Sequence, residues 1–253
     1  MIPKEFIRSE LRYRYPDMAD SIRAPLQPVG RPLLFEADGR KPGARIVVCT
    51  ADELDAIGGG GQAEPLFLSL GAPGPQAMRA FDVCALPRSE HAGAVLNFVQ
   101  RLFDRLDEWT QRLRQAAETG AEAGELLGRA SEMLQNPVWL LDEMGHVVAQ
   151  SDRSAGGPDA RLEAYGKRSE RPPEDGSVVR LGAPESPDAL AAQIPASGAR
   201  FTLLCAASER PLYGSDEIVF ASLSGFLRLM LSERTLGLRA VRQNRENGPA
   251  EQA

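Results

Sequence analysis

With 253 residues, 43% of them hydrophobic and 25% charged, the chain has the composition of an ordinary globular protein of two modest domains or one large one, and wholesale disorder is excluded. A net charge of −6 withholds the electrostatic footprint of a nucleic-acid-binding domain. Apolar runs such as Val138-Trp-Leu-Leu141 fall far short of the about twenty residues that span a bilayer, and Lys4, Glu5, Arg8 and Glu10 interrupt any secretory signal, so the expected location is the cytoplasm.

Residues 3–23 place Phe6, Ile7, Leu11 and Met18 at roughly helical spacing, with Pro16 breaking or kinking the run. Pro25, Pro28 and Pro32 then force an extended connection. Short apolar runs follow at Leu33–Phe35, Arg45–Cys49, Pro65–Leu70 and Phe81–Leu86. Thr50 and Glu53 form a capping-box pattern that starts a short helix through Ile57, which Gly58 to Gly61 end, and a further turn or helix is expected at Pro75–Arg79. Strands alternating with short helices predict a parallel sheet, so residues 1–90 read as a small Rossmann-like, doubly wound α/β unit.

A long helix is the clearest element. Ser89 is its expected N-cap, and little breaks a helix from Ala92 to Ala117. Val95, Val99, Leu102, Leu106, Trp109, Leu113 and Ala116 recur at alternating steps of four and three, about three heptads of a coiled-coil seam. Leu96, Phe98 and Phe103 widen the stripe. The pattern suits a dimer seam or packing within its own chain, and it leaves both open. The segment 91–119 is therefore expected as a linking helix.

The remainder, 120–236, begins with a second capping-box pattern at Thr119 and Glu122 and a helix to Gln135 that Pro137 stops. Two apolar strands flank Asp142-Glu-Met-Gly145, a hairpin with glycine at its left-handed position. A short helix is expected around Asp159–Tyr165, strands at Ser177–Leu181, Leu190–Ile194 and Arg200–Ala206, and a capped helix from Ser215-Asp216 to about Val241. Residues 237–253 are its end and a polar tail. This order describes an antiparallel sheet with helices on one face, the layout of PAS and GAF sensory domains.

Two stretches carry a more specific likeness. Val95-Leu-Asn-Phe-Val-Gln-Arg-Leu-Phe-Asp-Arg-Leu-Asp-Glu-Trp109, and Glu125 to Asp142 with its Asn136-Pro137-Val138, resemble the helix and the sensory domain of purine-catabolism-regulator-like (PucR-like) transcription regulators. The likeness spans roughly residues 33–235. It implies a non-enzymatic regulatory module, a homodimer that takes a small-molecule effector or a regulatory protein partner. Those regulators continue into a DNA-binding helix-turn-helix, whereas this sequence runs into a polar tail, so direct DNA binding is not expected of it.

Candidate residues follow from these elements. An effector cavity in a PAS/GAF-like domain is expected to be lined by Trp139, Leu141, Tyr165, Phe201, Leu203 and Cys205, although apolar positions at strand spacing also simply fill a core. Val99, Leu102, Leu106, Trp109 and Leu113, with Leu223 and Leu227 of the last helix, are the candidate dimer contacts. His91 and His146 belong to no cluster at metal-ligand spacing, and no nucleophile elbow or phosphate loop is present, so no catalytic residue, metal or cofactor is expected. Cys49, Cys84 and Cys205 read as buried free thiols. A protein-interaction scaffold without a ligand, and a small-molecule enzyme on the first unit, are the competing readings.

Overall fold

The computed structural model describes residues 1–35, 43–57, 65–152, 177–183, 186–196 and 199–246. The chain forms two compact units, Met1–Glu108 and Trp109–Ala253. The boundary falls inside the long helix.

The first unit runs β1 (Ile2–Pro3), α1 (Lys4–Arg14), β2 (Ala19–Asp20), β3 (Pro28–Leu34), β4 (Arg45–Thr50), α2 (Ala51–Ala56), β5 (Leu66–Leu70), α3 (Pro75–Ala80) and β6 (Asp82–Leu86), then α4 (Ala92–Glu118). Its sheet has the order β1-β3-β4-β5-β6-β2. The parallel strands β3 to β6 add in chain order, and β1 and β2 pair antiparallel at the edges. No reversal of order occurs among these strands, so they do not build the crevice of a doubly wound sheet at its switch point.

The near-continuous apolar runs of β4, β5 and β6 are what a strand buried on both faces requires. Val47, Cys49, Phe67 and Val83 pack with Leu54 of α2 and Ala77 of α3. Alternation sends Ile46, Val48, Leu66, Leu68 and Cys84 to the other face, where all are buried. The helix expected over 3–23 stops at Arg14, ahead of Pro16, and the chain returns as β2. In β3 the register shifts between Gly30 and Pro32. Arg31, at that irregularity, reaches Asp104 at 2.6 Å and Asp107 at 2.9 Å on α4.

The helix ends follow the expected chemistry at α2 and depart from it at α4 and α5. The α2 capping box forms as expected: Glu53 N–H donates to Thr50 Oγ1 at 3.2 Å, and Thr50 N–H donates to Glu53 Oε2 at 2.7 Å. For α4 the expected Ser89 cap is displaced by His91, whose Nδ1 accepts the Gly93 N–H at 3.2 Å and whose carbonyl accepts from Ala94 and Val95. Thr119 closes α4 by donating to the Gln115 carbonyl, and Glu122 caps the next helix without a side-chain hydrogen bond. The second capping box is therefore not formed.

The second unit contains α5 (Ala123–Leu134), β7 (Val138–Leu141), β8 (Val147–Gln150), β9 (Val178–Ala183), β10 (Ser186–Ala196), β11 (Ala199–Ala206) and α6 (Gly214–Glu246). Its sheet is antiparallel throughout, in the order β8-β7-β11-β10-β9. Helices α5 and α6 pack on one face. The expected short helix at 159–165, the Gly58–Gly61 turn and the tail after 246 lie outside the described residues. Among the described residues no helix is long and apolar enough to cross a membrane.

Candidate functional site

The site is built on β7, and a single asparagine sets where that strand begins. Asn136 is fully buried, and its Oδ1 accepts the N–H groups of Ser208, Glu209 and Arg210 at 3.1, 3.0 and 3.2 Å. Its Nδ2 donates to the Arg210 carbonyl at 3.0 Å, and its own carbonyl accepts the Ser131 hydroxyl at 2.8 Å. The left-handed residue that ends α5 is Gln135, with φ 52°. Asn136 thus ties the start of β7 to the loop after β11. That loop is braced by Arg210, which pairs with the buried Asp216 at 2.6 Å.

The other end of β7 is fixed by Asp142. Its Oδ1 accepts from Met144 and His146 N–H groups at 2.9 and 2.8 Å, and Gly145 takes φ +83°. The backbone N–H of His146, and then the other bonds within the turn, hold the Asp142 carboxyl below its ordinary value.

With both ends fixed, the register between β7 and β11 is set: Leu141 faces Thr202, Leu140 faces Leu203, Trp139 faces Leu204 and Val138 faces Cys205. This separates the candidate lining residues. Trp139 and Leu141 share one face with Leu204, Ala191, Leu181 and Ala206. Phe201, Leu203 and Cys205 alternate to the opposite face, the one that α6 covers, where Arg180 of β9 pairs with Glu217. Phe201, Leu203 and Cys205 therefore do not share a face with Trp139, whereas Leu204 does. Tyr165 lies outside the described residues.

Trp139 is the unusual member of this face. It is 4% exposed, yet its indole Nε1 has no hydrogen-bond partner among the described residues. Leaving such a donor unpaired costs about 1–3 kcal/mol. Trp109, by contrast, donates its Nε1 to the Arg129 carbonyl at 3.1 Å, joining the end of α4 to α5 within the second unit.

The candidate dimer stripe is spent inside the protomer. Val99, Leu102, Trp109, Leu113, Leu223 and Leu227 are all buried, and Leu106 is half-buried. Phe98 lies under the Arg14 guanidinium at 4.7 Å, and Arg105 reaches Glu10 at 2.9 Å, so the first half of α4 is committed to α1. An apolar seam at heptad spacing here covers the chain's own core.

Sequence reasoning missed a buried ion pair in the first unit. Lys4 Nζ donates to Asp82 Oδ2 at 2.7 Å with both side chains fully buried, and it also donates to Gln27 at 2.7 Å. Arg23 adds its backbone N–H to Asp82 Oδ1 at 3.0 Å. Burial pushes the Asp82 carboxyl up, but Lys4 and Arg23 outweigh it and hold the group below its ordinary value. Lys4 sits among the first-turn residues of α1, where solvent exposure is the usual reading; the one available signal was Asp82 opening an otherwise apolar strand.

The cysteines are free and buried, as expected. Burial pushes the Cys49 thiol up to about 12 and raises Cys84 and Cys205 as well.

No family model matches the chain, and no curated protein matches it. Among solved structures it is similar to Myxococcus xanthus MglB, at 10% identity and a TM-score of 0.32, over 44% of this chain and 95% of that one.

Proposed function

We propose that the chain is a non-enzymatic regulatory module whose second unit binds a small-molecule effector against Trp139. The observation that carries this reading is the buried, unpaired indole N–H on an apolar wall of Leu141, Ala191 and Leu204. A buried donor without a partner is a place where an acceptor on a ligand gains a bond. The five-stranded antiparallel sheet with two helices on one face agrees with a PAS/GAF-like sensory unit. With the likeness of 95–109 and 125–142 to PucR-like regulators, it supports a role in transcription regulation, in the cytoplasm. The module is proposed to work as a homodimer. The contact is not the heptad stripe, because that surface is already covered.

The test is a thermal-shift screen of small metabolites, among them purines and aromatic acids, on the wild-type chain and on Trp139→Phe. A ligand at about a hundred times its Kd stabilises the folded state by roughly 2.7 kcal/mol. The expected result is a shift in the wild type that the variant loses. A screen in which nothing shifts the melt overturns the effector reading, and a monomer by light scattering at micromolar concentration overturns the dimer.

A second reading, a protein-interaction module without a ligand, is favoured by the edge strand β8. Its residues Val147 to Gln150 carry no charge, Val148 is 52% exposed, and Met144 in the preceding turn is 80% exposed. An apolar uncharged edge is a template for strand addition.

A further inference from the structure

Resting on the homodimer reading, we infer that two copies of the chain pack antiparallel through the outer face of α6, along Ile218, Ser222, Gly225 and Leu229. Helix α6 buries Val219, Phe220, Leu223, Leu227 and Met230 in its own unit. The opposite face of such a helix ordinarily carries charge. Helix α4 follows that rule: its exposed positions from 101 to 108 are Arg101, Asp104, Arg105, Asp107 and Glu108. Helix α6 does not. From Ile218 to Leu229 the only charge in the sequence is Arg228. Ala221, Gly225 and Leu229 are exposed there, Leu229 by 61%, with Ile218, Ser222 and Phe226 half-buried beside them. Gly225 is an independent sign. Glycine weakens a helix interior relative to alanine, and a Cβ at this position would meet nothing within 4 Å, so the chain's own packing does not call for it. A glycine there lets a second backbone come close.

The charges at the edge of the stripe identify the second body as another copy. Glu217 and Arg228 stand about three turns apart, so they lie on the same edge. A two-fold axis between Ser222 and Gly225 sets Ile218 of one copy level with Leu229 of the other, and Ser222 level with Gly225. The same axis brings Glu217 of each copy within about 3 Å of rise of the other copy's Arg228, so one contact makes two pairs of opposite charge. A parallel pair sets Arg228 against Arg228 and Glu217 against Glu217. Arg228 is exposed and makes no ion pair among the described residues. Glu217 is bonded to Arg180 of β9, and a carboxylate has room for a second donor.

The experiment is sedimentation equilibrium of the full chain at micromolar concentration, as wild type, Leu229→Glu, Arg228→Glu and Glu217→Arg, with far-UV circular dichroism to check that each variant keeps its fold. The wild type is expected to be a dimer. Leu229→Glu and Arg228→Glu are each expected to weaken it at least about tenfold, since both place like or unpaired charge in the contact. An equimolar mixture of Arg228→Glu and Glu217→Arg is expected to associate more tightly than either alone, because the mixed dimer restores both charge pairs. Leu229 and Arg228 are exposed, so their variants decide the matter even where Glu217→Arg disturbs its bond to Arg180. A dimer that neither variant weakens overturns this inference and leaves the homodimer reading standing on another surface. A dimer weakened by Leu229→Glu and untouched by Arg228→Glu overturns the antiparallel arrangement. A monomeric wild type overturns both readings and leaves this face to a different protein.

Discussion

Asn136 and Arg210 are bonded in both directions: Asn136 Oδ1 accepts the Arg210 N–H at 3.2 Å, and Asn136 Nδ2 donates to the Arg210 carbonyl at 3.0 Å. The same side chain accepts two more N–H groups, from Ser208 and Glu209. Asn136→Ala leaves that loop without its acceptor in a buried place, where each unsatisfied group costs about 1–3 kcal/mol. The loss expected is ~3 kcal/mol, read as a lower urea midpoint with an unchanged slope. Asn136→Asp keeps the acceptor but sets a second carboxyl oxygen against the Arg210 carbonyl, which it bonds only when protonated, so it is the milder variant at acid pH. Equal losses for the two at acid pH would contradict the bonding described.

Trp139→Phe separates a ligand-binding donor from a merely tolerated one. The phenyl ring keeps most of the apolar contact with Leu204 and Leu141 and removes the unpaired N–H. Without an effector the variant is expected to match the wild type or to exceed it by about 1 kcal/mol, because the lost area and the relieved donor offset each other. Trp109→Phe is expected to be destabilising by about 1 kcal/mol or more, since its N–H is bonded to Arg129. Thermal melts of both variants, run together, check the contrast.

The β7–β11 register explains how much of this site was legible in the sequence. That β7, β8 and β11 exist followed from apolar runs bounded by Pro137, Gly145 and the polar loop after Ala206. Which residues face which way did not. Leu203, Leu204 and Cys205 are apolar in succession, as are Val138 to Leu141, so alternation offers no parity to read. Parity is fixed by long-range ties, Asn136 to the 208–210 loop foremost, and those have no local signature. The capping box at Thr50 was legible because both partners are local. His91 was not, since an imidazole nitrogen accepting an N–H two residues on is a rarer cap than the serine that precedes it. The heptad stripe on α4 was legible as an apolar face; its spacing could not tell a second copy from the chain's own core.

The thiols give a simple check on the packing. A buried thiol held at about 12, as Cys49 is, has almost no thiolate at neutral pH. Cys84 and Cys205 are raised by the same cause. The native chain is expected to give no fast reaction with a disulfide reagent such as DTNB at pH 8, and to titrate all of its 3 cysteines once denatured. A fast-reacting thiol in the native protein would show that one of these strands is accessible.

The Lys4–Asp82 pair sets the acid limb of stability in the first unit. Because the folded Asp82 lies below its unfolded value, its contribution is fully present above about pH 4 and is lost as pH falls through the folded value. Arg23 and Gln27 complete the shell around the pair, so neither charge is left to water. Removing one partner alone strands the other: Lys4→Met or Asp82→Leu is expected to cost about 3–5 kcal/mol. The double variant replaces the pair with apolar groups of similar volume and recovers most of that loss. Asp82→Asn supplies the pH test. It is destabilised at pH 7 and shows a shallower fall in stability than the wild type between about pH 4 and pH 2. Chemical denaturation across that range measures both, and parallel acid limbs in the variant and the wild type would mean that Asp82 is not held ionised by Lys4.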